Sequence, residues 1–465
     1  MIKKKSNTIL SVDCKKKASR LPIKKTIRLF TQQPNVSIEE PIYSTTFLRG
    51  LKTMHDRFYL RLLSSLYIST FFIRASFGIM LATLPIYLNI TSEFIGYGIV
   101  SAASPLFEMG TVLFIGAVVD RYGRKIVLLS GLLGAAVFLF VLSISQNLYV
   151  IFCINAGHGM AAGAILVSSL ALLTDYAPEH RRGREMGAFD AFNMLGWIVG
   201  YALGALFLEF FKGSLGHTFL IAGAMALFGC LYCFLNITEP KKHDIISQKI
   251  RFNTIFDVLK QRSVILLTLP WFIVFMIIGA VLTFLTVSTT QGGILSISPP
   301  MLSGIIIGAG IILITTQVLY GRLSDKYGRL PIMLIGTIGF VGVMTVLGIG
   351  YGLAPTPNGE DVKNSIIQFW PLLGIFGFMA LAFGPSALSS LADVAQETKR
   401  GVTMAVYSIV ISAGMFVGVP AVAAIFDHYG GPGVLIFMIG CAIAMLLLMI
   451  ARYIQLKHQK KQPIP

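Results

Sequence analysis

The sequence predicts an all-α polytopic membrane protein, with twelve transmembrane helices arranged as two pseudo-symmetric six-helix bundles. Three observations predict this. The 465 residues are 55% hydrophobic and 13% charged, with a mean hydropathy of +0.76, whereas soluble domains carry about 25% charged residues. Apolar runs of the length that crosses a bilayer, about 20 residues, recur twelve times along the chain. A charged turn, GAVVDRYGRK at Gly116–Lys125, returns as GRLSDKYGRL at Gly321–Leu330, an offset of 205 residues.

Residues 1–57 form a basic N-terminal tail with 13 Lys+Arg against four acids, a net of +9. Lysines continue where a signal peptide needs an apolar stretch, so the tail is not one. It reads as a disordered segment or as a polybasic strip on an anionic leaflet. The first bundle, 58–238, holds spans centred near Gly78, Ala103, Ala135, Gly163, Gly196 and Ala226. A polar and basic linker, 239–262, has the composition of an interfacial helix. The second bundle, 263–453, holds spans near Gly279, Gly308, Gly339, Ala380, Gly414 and Met445, and 454–465 is a C-terminal tail.

Lys and Arg set the orientation. The odd-to-even connections contain only Lys212 and Lys363, Arg74 lies inside the first span, and the other 35 of 38 sit in the termini or the even-to-odd connections. Both termini are therefore expected in the cytoplasm. The +17 net charge is accounted for without nucleic acid.

A second repeated pair strengthens the first. DYAPEHRRG, with Asp175 and Arg182, follows span four, and DVAQETKRG, with Asp393 and Arg400, follows span ten at an offset of 218. Gly196 and Gly200 match Gly414 and Gly418 at that same 218. The second half thus holds 13 extra residues, which the connection YGLAPTPNGEDVKN can absorb.

The doubled turn and the 6+6 layout resemble the major facilitator superfamily over roughly Phe58 to Tyr453. The resemblance implies a transporter whose halves rock about a site near the membrane midplane, latched on the cytoplasmic side by the repeated turns. The charges support such a latch independently, because water re-solvates them when the contact opens. Gly116 and Gly123 allow close packing and a tight turn, and Asp120 suits the positive end of a neighbouring helix. Arg121 and Arg124 suit forked pairing with a carboxylate such as Asp175. Gly321, Asp325, Lys326, Gly328 and Arg329 repeat the pattern around Asp393 and Arg400, as Arg182 does beside Asp175. The competing reading is an ordinary set of cytoplasmic loop charges.

Ionisable groups at membrane depth are functional candidates. Arg74 stands about 24 Å along span one and Glu108 about 18 Å up span two, counting 1.5 Å per residue. They form either a structural ion pair or a substrate and proton site. Asp190 and Asn193 share a face of span five, and Asn155 and His158 share one of span four. His158 either carries protons or bonds across helices. Gln317 is expected between helices, and Trp197 is expected to line an aromatic cavity.

Two departures weaken the likeness to drug exporters of the superfamily. Asn155 and His158 stand where that group has arginine and glutamine. Gly187, Gly196, Gly200 and Gly204 keep the span-five spacing, but Tyr201 replaces a proline; close packing explains these glycines as well as a bend does.

No nucleotide-binding loop and no His/Asp/Glu cluster of an intramembrane enzyme occurs, so neither ATP drive nor enzymatic activity is expected. Nor is a cofactor or a metal; the CxxC at Cys230 and Cys233 lies in an apolar run and reads as packed or lipid-facing thiols. The expected function is secondary active transport of a small molecule, proton-coupled efflux of amphipathic compounds, by a monomer in the cell membrane. Uptake or exchange of an anionic metabolite or sugar through Arg74 stands as the alternative, as does a transporter-like sensor.

Overall fold

The computed structural model describes residues 43–87, 94–176, 182–211, 215–239, 260–289, 299–352, 368–394 and 400–459. Twelve helices account for them: α1 (Tyr43–Tyr87), α2 (Phe94–Tyr122), α3 (Arg124–Leu142), α4 (Leu148–Tyr176), α5 (Arg182–Phe210), α6 (Leu215–Asn236), α7 (Arg262–Thr289), α8 (Pro299–Tyr327), α9 (Arg329–Gly352), α10 (Trp370–Ala380), α11 (Phe383–Val394) and α12 (Arg400–Gln459). The chain divides after Tyr59, and Leu60–Pro465 is one compact unit. Residues 43–57, assigned from sequence to the tail, lie in α1.

Ten stretches are long and apolar enough to cross a membrane among the described residues. One of them, Ser408–Lys457, runs for 50 residues and breaks at Gly430, where φ is +64° and Pro432 follows two residues later. That break makes two passages of one helix. The shorter apolar helix Val264–Gly279 completes the set of twelve. Span ten is itself interrupted, as α10 and α11 meet at the Leu381–Ala382 turn. The linker residues 240–259, the connection at 353–367 and Asn89 of the sequon NIT lie outside the described residues.

Glycines bring the helices together. A Cβ on Gly196 would lie 2.5 Å from the Phe71 carbonyl oxygen, and one on Gly200 would overlap that of Ala75. In the second half, a Cβ on Gly414 would sit 2.6 Å from Phe272 O, and one on Gly418 would overlap Met276 O. The seam of α5 on α1 is thus rebuilt as the seam of α12 on α7. The second half packs around Trp271, Phe383, Met438 and Met445, with Leu113 of α2 reaching that core from the first half.

The halves also meet where α5 faces α8, as Ser303 donates to the Ala202 carbonyl at 2.8 Å. A Cβ on Gly98 of α2 would lie 2.8 Å from Ala423 Cβ and 3.0 Å from Pro420 Cα of α12. Both contacts fall toward the face opposite the charged turns, called here the far face.

Candidate functional site

The turn between α2 and α3 is set by Gly123, whose φ of +102° suits a residue without Cβ. Arg124, buried at the start of α3, is ion-paired with Asp175 near the end of α4. The first two amides of α3 point at Glu239, just past α6. Arg124 N–H donates to Oε1 at 2.8 Å and Lys125 N–H to Oε2 at 2.7 Å. A carboxylate therefore closes the positive end of α3. A Cβ on Gly123 would stand 2.9 Å from that carboxylate, so the glycine is needed for space as well as for conformation. Glu239 was missed from sequence because it heads a charged linker. The one available signal was its place directly after span six, level with the turn after span two.

The second turn is built differently. Gly328 has φ +94°, and Arg329 turns back onto Asp325 and onto Ser324 Oγ, the latter at 2.9 Å. Pro331 lies in the first turn of α9, where an amide would lack a partner.

Three expectations are corrected. Arg121 does not share Asp175 with Arg124: it is exposed and lies over the Tyr122 ring at 5.4 Å. Lys326 is likewise exposed over Tyr327, at 5.2 Å. In both, an aromatic neighbour covers a cation facing outward from the helix. Gly116 and Gly321 are not close-packing points, since a Cβ at either would meet nothing within 4 Å among the described residues. The side chains of Asp120, Arg182, Asp393 and Arg400 lie outside the described residues.

At mid-depth, Arg74 Nη2 of α1 and Glu108 Oε1 of α2 are 3.7 Å apart, both largely buried. That is an ion pair too long for a hydrogen bond. Gly196 makes room for the arginine, as a Cβ there would lie 2.9 Å from Arg74 Cβ. Asp190 of α5 lies beside Asn193 and within electrostatic reach of Arg74, which His158 of α4 shares. His158 is 2% exposed, stacks on Phe77 at 5.3 Å between ring centroids, and lines a small space with Ile73, Arg74 and Ala162. Trp197 packs on the same Phe77 at 5.0 Å. Tyr67 stacks on Phe192 and donates to Glu185 at 2.7 Å. Gln317 Nε2 comes within 4.0 Å of Met194 Sδ across the two halves. Asn155 donates to the Val100 carbonyl at 3.3 Å. The structure thus gathers Arg74, Glu108, His158, Asp190, Asn193 and Trp197 along the middle stretches of α1, α2, α4 and α5. Acids and bases of α7 to α12 fall instead at helix ends or at the Asp427 turn. Cys230 and Cys233 are free thiols, with Cys233 buried.

Paired helix seams in two halves, conserved in form across the chain, and a charged cluster at membrane depth define an integral membrane transporter. The chain belongs to the Major Facilitator Superfamily, whose family model matches residues 64–315 and 290–465. It is 24% identical over 415 residues to the quinolone resistance protein NorA of Staphylococcus aureus, covering 85% of this chain and 97% of the relative. With the multidrug resistance protein MdtG of Salmonella choleraesuis it shares 24% over 305 residues, 63% of this chain and 74% of the relative. Its fold is similar to that of the human organic anion transporter MFSD10, with a TM-score of 0.61, 17% identity and 84% and 99% of the two chains covered. The nucleoside transporter NupG gives 0.60, 15%, 84% and 99%.

Proposed function

We propose that this transporter is a secondary active one, exporting a small amphipathic, cationic compound in exchange for protons by alternating access. The observation that carries the reading is the Arg74, Glu108 and Asp190 cluster beside Phe77 and Trp197. One guanidinium and two carboxylates carry a net charge of −1 when both acids are ionised. The cluster balances when it takes up one proton or one cationic group, and not both, which is what couples two opposed fluxes. Aromatic faces add apolar and cation–π contact. The names of NorA and MdtG as resistance proteins support efflux. The Lys and Arg distribution supports cytoplasmic termini and charged turns, and the likeness to NorA supports the cell membrane as location. The turns then serve as cytoplasmic clasps, with Arg124–Asp175 and Glu239 shaping one and Arg329–Asp325 the other.

The test uses purified protein in proteoliposomes, ethidium as the probe and an imposed pH gradient. Gradient-driven accumulation that collapses with a protonophore, and that Glu108→Gln loses while still exchanging ethidium at equilibrium, is the expected result. Accumulation of an organic anion in place of ethidium would reassign Arg74 to anion binding. Binding without movement would make the chain a sensor.

A further inference from the structure

Along α2, Tyr97, Ser101, Ser104 and Glu108 fall at i, i+4, i+7 and i+11, within one narrow face about 16 Å long. The line starts at the far face and ends at the Arg74 pair. Tyr97 and Ser104 are 2% and 3% exposed, and Asn155 and His158 of the adjoining α4 are 1% and 2% exposed. Tyr97 lies beside Ser101 and within electrostatic reach of Tyr201 from α5. The two helices touch backbone to backbone here, for a Cβ on Gly159 would overlap the Ser104 carbonyl and one on Gly163 would lie 3.0 Å from that of Glu108.

Hydroxyls inside helices usually bond back to the carbonyl one turn earlier. Ser65, Ser69, Ser76, Thr83, Thr111 and Ser168 all do so. Ser104 does not, nor do Ser101, Ser169, Thr70 and Thr218, and the Val100 carbonyl one turn before Ser104 accepts from Asn155. Ser104 Oγ, Asn155 Oδ1 and both ring nitrogens of His158 are buried without a hydrogen-bond partner among the described residues. Buried polar atoms are rarely left so, and neighbouring ones on two packed helices are the lining that internal water needs.

We propose that these groups bind a file of water inside the first half, leading from the far face at Tyr97 to Glu108, along which protons reach the carboxylate. The path is separate from the space between the halves where Gln317 meets Met194. It deepens the function proposed above and rests on Glu108 as the proton carrier. The charged and titratable groups around its inner end are Arg74 from α1, His158 from α4 and, through Arg74, Asp190 from α5. Tyr97 and Tyr201 stand at its outer end, and the α12 stretch from 401 to 426 brings no charged side chain or histidine.

Valine and threonine have the same shape, so Ser104→Val and Ser104→Thr differ only in the hydroxyl. With ethidium in proteoliposomes, Ser104→Val is expected to slow pH-driven accumulation about tenfold, the rate equivalent of one lost hydrogen bond. Ser104→Thr keeps the rate, and both keep equilibrium exchange, which moves no net proton. Equal rates for the two variants overturn the file, as does a matching loss of exchange in Ser104→Val. If Glu108→Gln still accumulates ethidium, the proton-carrier reading fails and the file falls with it. If Glu108→Gln fails and Ser104→Val does not, only the file is lost. Radiolytic hydroxyl labelling of the wild-type protein gives a second reading. His158 and Tyr97 are expected to oxidise faster than the dry core residues Phe219 and Phe383, and equal rates overturn the proposal.

Discussion

Arg74 and Glu108 face each other in a setting where a lone charge is costly, so each stabilises the fold only while the other is present. Removing one partner of a buried pair costs about 3–5 kcal/mol, whereas replacing both by apolar groups is often neutral. Arg74→Met is therefore expected to lower the apparent melting temperature in detergent, and Arg74→Met/Glu108→Met to recover much of it; a double variant worse than the single one would show that the pair is not the unit. Glu239 acts on a smaller scale. Its two oxygens take the first two amides of α3, so Glu239→Ala is expected to cost about 1 kcal/mol, the usual value of a helix cap. Hydrogen exchange of the Arg124 and Lys125 amides should rise locally, and unchanged exchange would sink the assignment. Arg74 and Glu108 were legible in the sequence because charge is rare in an apolar run. Glu239 was not, because among charged neighbours one carboxylate looks like another and only the fold brings α6 beside α3.

Among the elements, the glycine seams decide how closely helices approach. Gly200 admits the Ala75 carbonyl of α1, while a Cβ on Gly187, thirteen residues earlier on the same helix, would meet nothing within 4 Å among the described residues. The same substitution should therefore act in opposite directions. Gly187→Ala gains roughly 0.5–1 kcal/mol of helix propensity without a clash. Gly200→Ala must push α1 and α5 apart and lose the packing along both. Melting of the two variants in one detergent checks this, and a Gly200→Ala protein as stable as wild type would overturn the seam. Spacing alone made the stripe visible in the sequence. It also marked Gly187 as the exception, for Gly196, Gly200 and Gly204 recur every four residues on one face, whereas Gly187 lies nine residues before Gly196, half a turn round the helix.

For the whole molecule, the doubling of the chain survives into three dimensions in a form that sequence could indicate. Offsets in the glycine pairs announced that α5 and α12 play equivalent parts, and their seams on α1 and α7 share one geometry. The pairing of halves across the centre was hidden, since Gly98 and Ser303 are small residues that fit any helix crossing. What they do follows from where they sit. Gly98 against Pro420 and Ala423, and Ser303 on Ala202, hold the halves together toward the far face, whereas Arg124–Asp175 ties helices within one half. A large side chain at Gly98 cannot fit without parting α2 from α12, so Gly98→Leu should favour a state open at the far face. Ser303, 2% exposed, reports on it as Ser303→Cys in a chain whose five native cysteines have been replaced. Alkylation by an impermeant maleimide from the far face should quicken about tenfold when Gly98→Leu is added, a shift of about 1.4 kcal/mol between the two states. Unchanged labelling would mean that the α2–α12 contact is not what closes that side, and the rocking of one half against the other would need a different hinge.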